Sequence, residues 1–215
     1  MLSAKPQGAA GMKTRFDASS TTDELLETVD IRNRRVLVTG VSAGLGLETA
    51  VTLAAHGAHV IGTARNIPKA EAAIAASRIA TDRAVRNLEV IELELANLTS
   101  VRTSSSRLLE QGAALDVIIA NAGVMATPFG RTADGFETQF GTNHLGHFVF
   151  VNRLRPLLRS PSRLVVVSSA GHRFSNVDLT DPNFERAPYD PPSRRLLTNS
   201  PPTWRPPSNR WPPSA

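Results

Sequence analysis

The stretch RRVLVTGVSAGLGLETAVTLAAHG (34–57) decides the fold. It opens with a short apolar run, RRVLVTG (34–40), that ends at glycine, as a buried strand does. It continues into GLGLETAVTLAAHG (44–57), where Leu47, Ala50, Val51 and Ala54 recur at helical spacing and Gly57 suits the position just past a helix end. Between them lies Thr39-Gly40-Val41-Ser42-Ala43-Gly44-Leu45-Gly46. Glycine lets a backbone turn tightly and approach a ligand closely. A helix that starts there aims unpaired N–H groups and the positive end of its dipole at whatever binds, and a pyrophosphate fits best. A bare Gly-rich turn without a ligand is the competing reading.

The same alternation repeats downstream. HVIGTA (59–64) reads as a strand and PKAEAAIAASRIA (68–80) as a helix with Pro68 in its first turn. LEVIELEL (88–95) is a strand, TSVRTSSSRLLEQG (99–112) a helix, LDVIIANAG (115–123) a strand, 135–159 a long helix, and RLVVVSSA (163–170) a fifth strand. Strands that are apolar throughout and alternate with helices form a parallel sheet covered on both faces. The expectation is an α/β, doubly wound, Rossmann-like domain over residues 21–190. Residues 1–20 read as a flexible leader, and TTDELLETV (21–29) as a short helix whose Thr21 and Glu24 have capping-box spacing.

Composition sets outer limits. The 215 residues are 41% hydrophobic and 20% charged, ordinary for one globular domain. There is no cysteine, and the histidines show no metal-binding spacing, so no metal site is read. No apolar run approaches the roughly 20 residues that span a bilayer, and the N-terminus lacks a secretory apolar core. A soluble cytoplasmic protein is expected. The net charge is +5, but Arg194, Arg195, Arg205 and Arg210 carry four of it after Asp190, with no acid beside them. The first 190 residues carry only +1, so nucleic-acid binding is not favoured.

Thr-Gly-xxx-Gly-Leu-Gly, then NAG (Asn121, Ala122, Gly123), TNHLGHF (142–148) and VVVSSAGHR (165–173) appear in one order along the chain. Together they resemble the short-chain dehydrogenase/reductase family. SSAGHR, DPNFE and YDP resemble its retinol-dehydrogenase-like and WW-domain-oxidoreductase-like branch. The resemblance implies hydride transfer between a nicotinamide dinucleotide and a small carbonyl or alcohol substrate. It places Thr39, Gly40, Ser42, Ala43, Gly44, Leu45, Gly46, Asn121, Ala122 and Gly123 at the cofactor. Ser169, second of its pair, would orient the substrate carbonyl. Asn143 would bend its helix and hold a water in the proton relay. Read alone, Asn143 on the apolar stripe of Phe136, Phe140, His147, Val151, Leu154 and Leu158 is a buried amide with structural partners.

The end of the second strand bears on cofactor choice. An acid there would bind the ribose 2′-OH of NAD, but the chain reads Thr63-Ala64-Arg65-Asn66. Arg65 matches a 2′-phosphate, so NADP is favoured over NAD. A solvated surface arginine is the alternative. Glu94 stands where the family usually has an aspartate near the adenine.

Near PYDPPSRRLLTN (188–199) the resemblance fails. The family's proton donor is a tyrosine tuned by a lysine four residues on. Extending the match puts Arg195 and Asn199 there. Tyr189 is the single tyrosine, with Ser193 four residues on, and Lys5, Lys13 and Lys69 are the lysines. The last 25 residues hold eight prolines and both tryptophans, a density that excludes regular structure. Residues 191–215 therefore read as a disordered Pro/Arg-rich tail and the sheet as incomplete on its C-terminal side, truncated or read out of frame. The family-type dimer interface would be largely lost, and the fifth strand would be an exposed edge. Three readings follow: an oxidoreductase with weak or no turnover, a non-catalytic dinucleotide-binding protein, or a module whose tail engages SH3-like grooves.

Overall fold

A computed structural model describes Phe16 and residues 20–169 and 178–189. The chain divides into two units, Met1–Asp30 and Ile31–Ala215. In the first, α1 (Thr22–Leu26) carries the expected capping box: Thr21 Oγ1 accepts from Glu24 N, and the Glu24 carboxylate accepts from Thr21 N.

The second unit is built on five parallel strands, β1 (Arg35–Thr39), β2 (His59–Ala64), β3 (Leu88–Glu92), β4 (Leu115–Ala120) and β5 (Leu158–Val166). Their order is β3-β2-β1-β4-β5. The chain builds outward from β1 in one direction and then crosses back to begin β4 on its other side. The expected doubly wound, Rossmann-like architecture is therefore the observed one. Its switch point lies between β1 and β4, where ligands bind in such sheets.

Helices α2 (Gly44–Ala55), α3 (Ile67–Ala75) and α4 (Asp82–Asn87) cover one face; α5 (Leu98–Gln111) and α6 (His147–Leu154) cover the other. Period-two alternation along β1 feeds both layers. Val36 and Val38 pack with Ala50, Val51 and Ala54 of α2, while Leu37 packs with Val101 and Leu108 of α5 and Phe150 and Leu154 of α6.

Several boundaries differ from the sequence reading. The helix expected over 68–80 ends at Ala75, and a separate helix, α4, begins at Asp82 behind its N-cap Thr81, whose Oγ1 accepts from Ala84 N. The strand expected over 88–95 ends at Glu92, though Leu93 and Leu95 stay buried. The long helix expected over 135–159 is three pieces: a π-helical segment Phe140–Gly146, then α6, then a 3₁₀ turn Arg155–Leu157. Pro156 has no N–H to give and stops the helix. β5 accordingly starts at Leu158, earlier than expected, and a register shift follows between Leu115 and Val117 of β4. Among the described residues β5 pairs only with β4 and is the last strand of the sheet, with Val165 and Val167 partly exposed. Positions Arg195 and Asn199 and the Pro/Arg-rich tail lie outside the described residues.

Phe150 is fully buried at the centre of the α5–α6 layer. Truncating it leaves a cavity beneath both helices, so Phe150→Ala is expected to lower unfolding free energy by about 3–5 kcal/mol. Chemical denaturation measures this, and a loss below about 1 kcal/mol would mean that the layer collapses onto the gap.

Candidate functional site

All five strands point their C-terminal ends at one edge, and the segments that follow them carry most of the residues singled out from the sequence. The glycine-rich turn follows β1, Arg65 follows β2, Glu94 follows β3, Asn121-Ala122-Gly123 follow β4, and Ser169 lies three residues beyond β5. Val167 N still donates to Ala120 O, which carries the β4–β5 pairing toward Ser169.

The glycine-rich turn has the form a dinucleotide needs. Gly40 has φ +78°, and a Cβ there would press on Ala122. A Cβ at Gly46 would collide with the Gly40 carbonyl and with Asn121 Nδ2. The two glycines therefore let α2 start directly against the turn after β4. The N-cap of α2 is Ala43, which has no side chain to satisfy the first-turn N–H groups. Ala43, Gly44 and Leu45 are exposed, so this helix end faces outward with its donors unclaimed by a cap. These residues fit a pyrophosphate.

Arg65 and Glu94 meet each other. The Arg65 Nε lies 3.6 Å from a Glu94 carboxylate oxygen, and the other oxygen accepts from Ala96 N at 3.0 Å. The arginine is thus oriented over the end of β2, with its side chain 69% exposed. An exposed pair of this kind contributes at most about 1 kcal/mol.

Asn143 lies in the middle of the π-helical segment and is buried. Its Oδ1 accepts from Val124 N and its Nδ2 donates to Val124 O, both at 2.8 Å. The amide thus imitates a neighbouring strand and fixes the chain just after Gly123. Seven residues of π winding widen the helix around it, so the helix is irregular at this asparagine. Gly146 in the same segment packs against the Leu95 backbone, where a Cβ has no room.

Three residues that the sequence reading left unassigned complete the edge. His147, buried, puts Nε2 2.9 Å from Thr39 Oγ1 and Nδ1 3.0 Å from the Asn143 carbonyl. Gln139 accepts from Ala126 N through Oε1 and donates to Tyr189 Oη through Nε2 at 2.8 Å. Tyr189 in turn donates to the Thr127 carbonyl at 2.9 Å. Ala126 has φ +53°, a left-handed conformation that costs roughly 1–2 kcal/mol outside glycine, and these contacts hold it. Around Tyr189, Phe129 and Phe184 stack edge-on, Asn183 Oδ1 accepts from Glu137 N, and Asp181 accepts from the N–H groups of Glu185, Arg186 and Ala187. Those N–H groups hold the Asp181 carboxyl below the usual range. The segment 178–189 is therefore held by specific contacts. The apolar stripe that carries Asn143 also passes through His147 and is the sequence signal for its burial; nothing in the local pattern marks Gln139.

A model of the short chain dehydrogenase family matches residues 34–178. The chain belongs to this family. It is 40% identical over 168 residues to the WW domain-containing oxidoreductase of Homo sapiens, a match that covers 77% of this chain and 40% of that protein. It is 41% identical over 170 residues to human retinol dehydrogenase 14, covering 73% of this chain and 51% of the relative. The chain thus spans about two-fifths to half the length of these curated relatives. A solved short chain dehydrogenase from Escherichia coli CFT073, complexed with NADPH, superposes with a TM-score of 0.56 at 28% identity, over 67% of this chain and 62% of that one. Among the described residues, no helix of this family member is long and apolar enough to cross a membrane.

Burial lowers the His147 pKa to about 4; the Asn143 carbonyl opposes this and His144 adds slightly to it. The unfolded chain takes a proton near pH 6.5, whereas the folded ring stays neutral until about pH 4. The unfolded state therefore binds more protons in that window, and stability falls as pH drops through it. The loss is expected to be on the order of 3 kcal/mol between pH 7 and 4. Urea denaturation across this range, beside His147→Gln to remove the common acid response, measures it; identical slopes would show that His147 is not the group concerned.

Proposed function

We propose that this chain binds NADP(H) along the C-terminal edge of its sheet. The observation that carries the reading is the uncapped, outward-facing start of α2 set against two glycines that leave no room for a Cβ. Gly40, Ser42, Ala43, Gly44, Leu45 and Gly46 would hold the pyrophosphate, and Asn121, Ala122 and Gly123 the next part of the cofactor. Arg65 would take the 2′-phosphate. The Glu94 pair is weak enough for a phosphate to displace, because charge-assisted contacts to a dianion exceed what an exposed ion pair supplies. The solved relative complexed with NADPH lends support.

The reaction supported is that of the family: hydride passes between the nicotinamide and a carbonyl or alcohol carbon, and the substrate oxygen gains or loses a proton. Ser169 would orient the oxygen, and Asn143 would hold the relay. The chain has no Tyr-xxx-Lys pair to move that proton. Its single tyrosine, Tyr189, already directs its hydroxyl proton to the Thr127 carbonyl. Turnover by this chain is therefore weak or absent. A non-catalytic dinucleotide-binding protein is the second reading, favoured by the same engagement of Tyr189.

Calorimetric titration should find NADPH bound about 10–100-fold more tightly than NADH, with Arg65→Ala abolishing the difference. Equal affinities, or an NADH preference, would overturn the assignment of Arg65.

Assays of NADPH consumption with a panel of aldehydes and ketones should show turnover at least about 100-fold below that of a relative carrying the pair, since a positioned general acid contributes about 10²–10⁴-fold. Robust turnover that Ser169→Ala removes would mean that another group delivers the proton.

A further inference from the structure

Proton counting at one buried junction assigns a role to His147. The Thr39 hydroxyl has one proton and two lone pairs. Asn121 N donates to its oxygen at 2.9 Å and Ala122 N at 3.0 Å, so both lone pairs are occupied. The hydroxyl proton then has one destination, His147 Nε2 at 2.9 Å. Nε2 must accept, and the ring proton must reside on Nδ1. That nitrogen faces the Asn143 carbonyl at 3.0 Å, an atom that can only accept. No other distribution of protons satisfies all four contacts: an Nε2–H would meet a hydroxyl with no lone pair left.

The junction joins three elements remote in sequence. Thr39 ends β1, and Asn121 and Ala122 follow β4 across the switch point. Asn143 lies in the π-helical segment, whose side chain clamps Val124. The main-chain N–H of His147 turns to His144 O, so it is the ring that reaches the Asn143 carbonyl one turn back. Thr39 and His147 are both buried, which keeps water from substituting for either partner.

We propose that His147, fixed as its Nδ1–H tautomer, is a positioning residue that locks the Thr39 hydroxyl and the 121–123 turn to the main chain of Asn143. Its effect on ligand binding rests on the NADP(H) reading above; its effect on the turn does not.

The test uses the full chain labelled with ¹⁵N. Long-range ¹H–¹⁵N correlation at pH 7 should show His147 neutral, with Nδ1 protonated and Nε2 bare, without cofactor present. An Nε2–H pattern, or averaging between tautomers, would overturn the proposal. Hydrogen exchange then reads the Asn121 and Ala122 amides in two variants. His147→Phe fills the space but accepts no proton, and should accelerate both amides about tenfold or more; His147→Gln offers Oε1 to the Thr39 hydroxyl and should stay within about threefold of the parent. NADPH affinity should follow the same order. Unchanged exchange in His147→Phe would overturn the positioning role. Should that variant not fold, the tautomer spectrum and His147→Gln decide. If the parent chain binds no NADPH, the dinucleotide reading falls while the tautomer and exchange results still judge His147.

Discussion

One hydroxyl oxygen, Thr39 Oγ1, holds the two halves of the sheet together where they part. At the switch point β1 and β4 run side by side but their following segments go opposite ways, and the crevice between them needs something rigid at its floor. Thr39 supplies it by accepting from the N–H groups of both Asn121 and Ala122. These donors have left the strand ladder and are partly buried, and a buried N–H left unpaired costs about 1–3 kcal/mol. Asn121 answers with its own amide, which donates to the Thr39 carbonyl. The turn after β4 is thus tied to the end of β1 through both main chain and side chain. The closeness of Gly40 to Ala122 and of Gly46 to Asn121 follows from that tie.

The other wall of the crevice is built from side chains standing in for backbone. Asn143 pairs with Val124 as a strand would, and the Glu137 carboxylate accepts from Gln139 N and Phe140 N, capping the π-helical segment. Gln139 and Tyr189 secure the left-handed Ala126 and its neighbour Thr127. A loop of irregular backbone gains defined geometry in this way, without a strand or a helix of its own. The segment around Asn183 lies against it, with Asn183 Oδ1 accepting from Glu137 N, and is itself folded around the Asp181 carboxylate. This explains why the single tyrosine serves as a brace.

Charge at the crevice is arranged differently. Arg65 and Glu94 extend from neighbouring strands, β2 and β3, and hold each other in partial exposure. The pair is marginal in energy, so it orients the guanidinium without sequestering it. Around the α2 start there is no acidic residue in the first turn. Both features would suit the phosphate groups of the proposed cofactor.

How much of this was legible in the sequence depends on the range of the interaction. Strand and helix identities came from periodicities within a turn or two, and β2 was read to the residue because apolar His59–Ala64 is bounded by Gly57 and Asn66. The glycine spacing after β1 located the tight turn ahead of α2, and the absence of Tyr-xxx-Lys is a property of the letters alone. Helix breaks at Ala75 and Pro156 were missed where a long apolar pattern outweighed local stops. What the sequence could not determine were the partners. His147 meets Thr39 across 108 positions, Tyr189 meets Gln139 across 50, and Asn121 meets Thr39 across 82. Local pattern determines which backbone a segment adopts; strand order decides which buried polar atoms face each other. Only the tertiary structure, by closing β4 onto β1, turned a threonine, a histidine and an asparagine into one junction with a single allowed arrangement of protons.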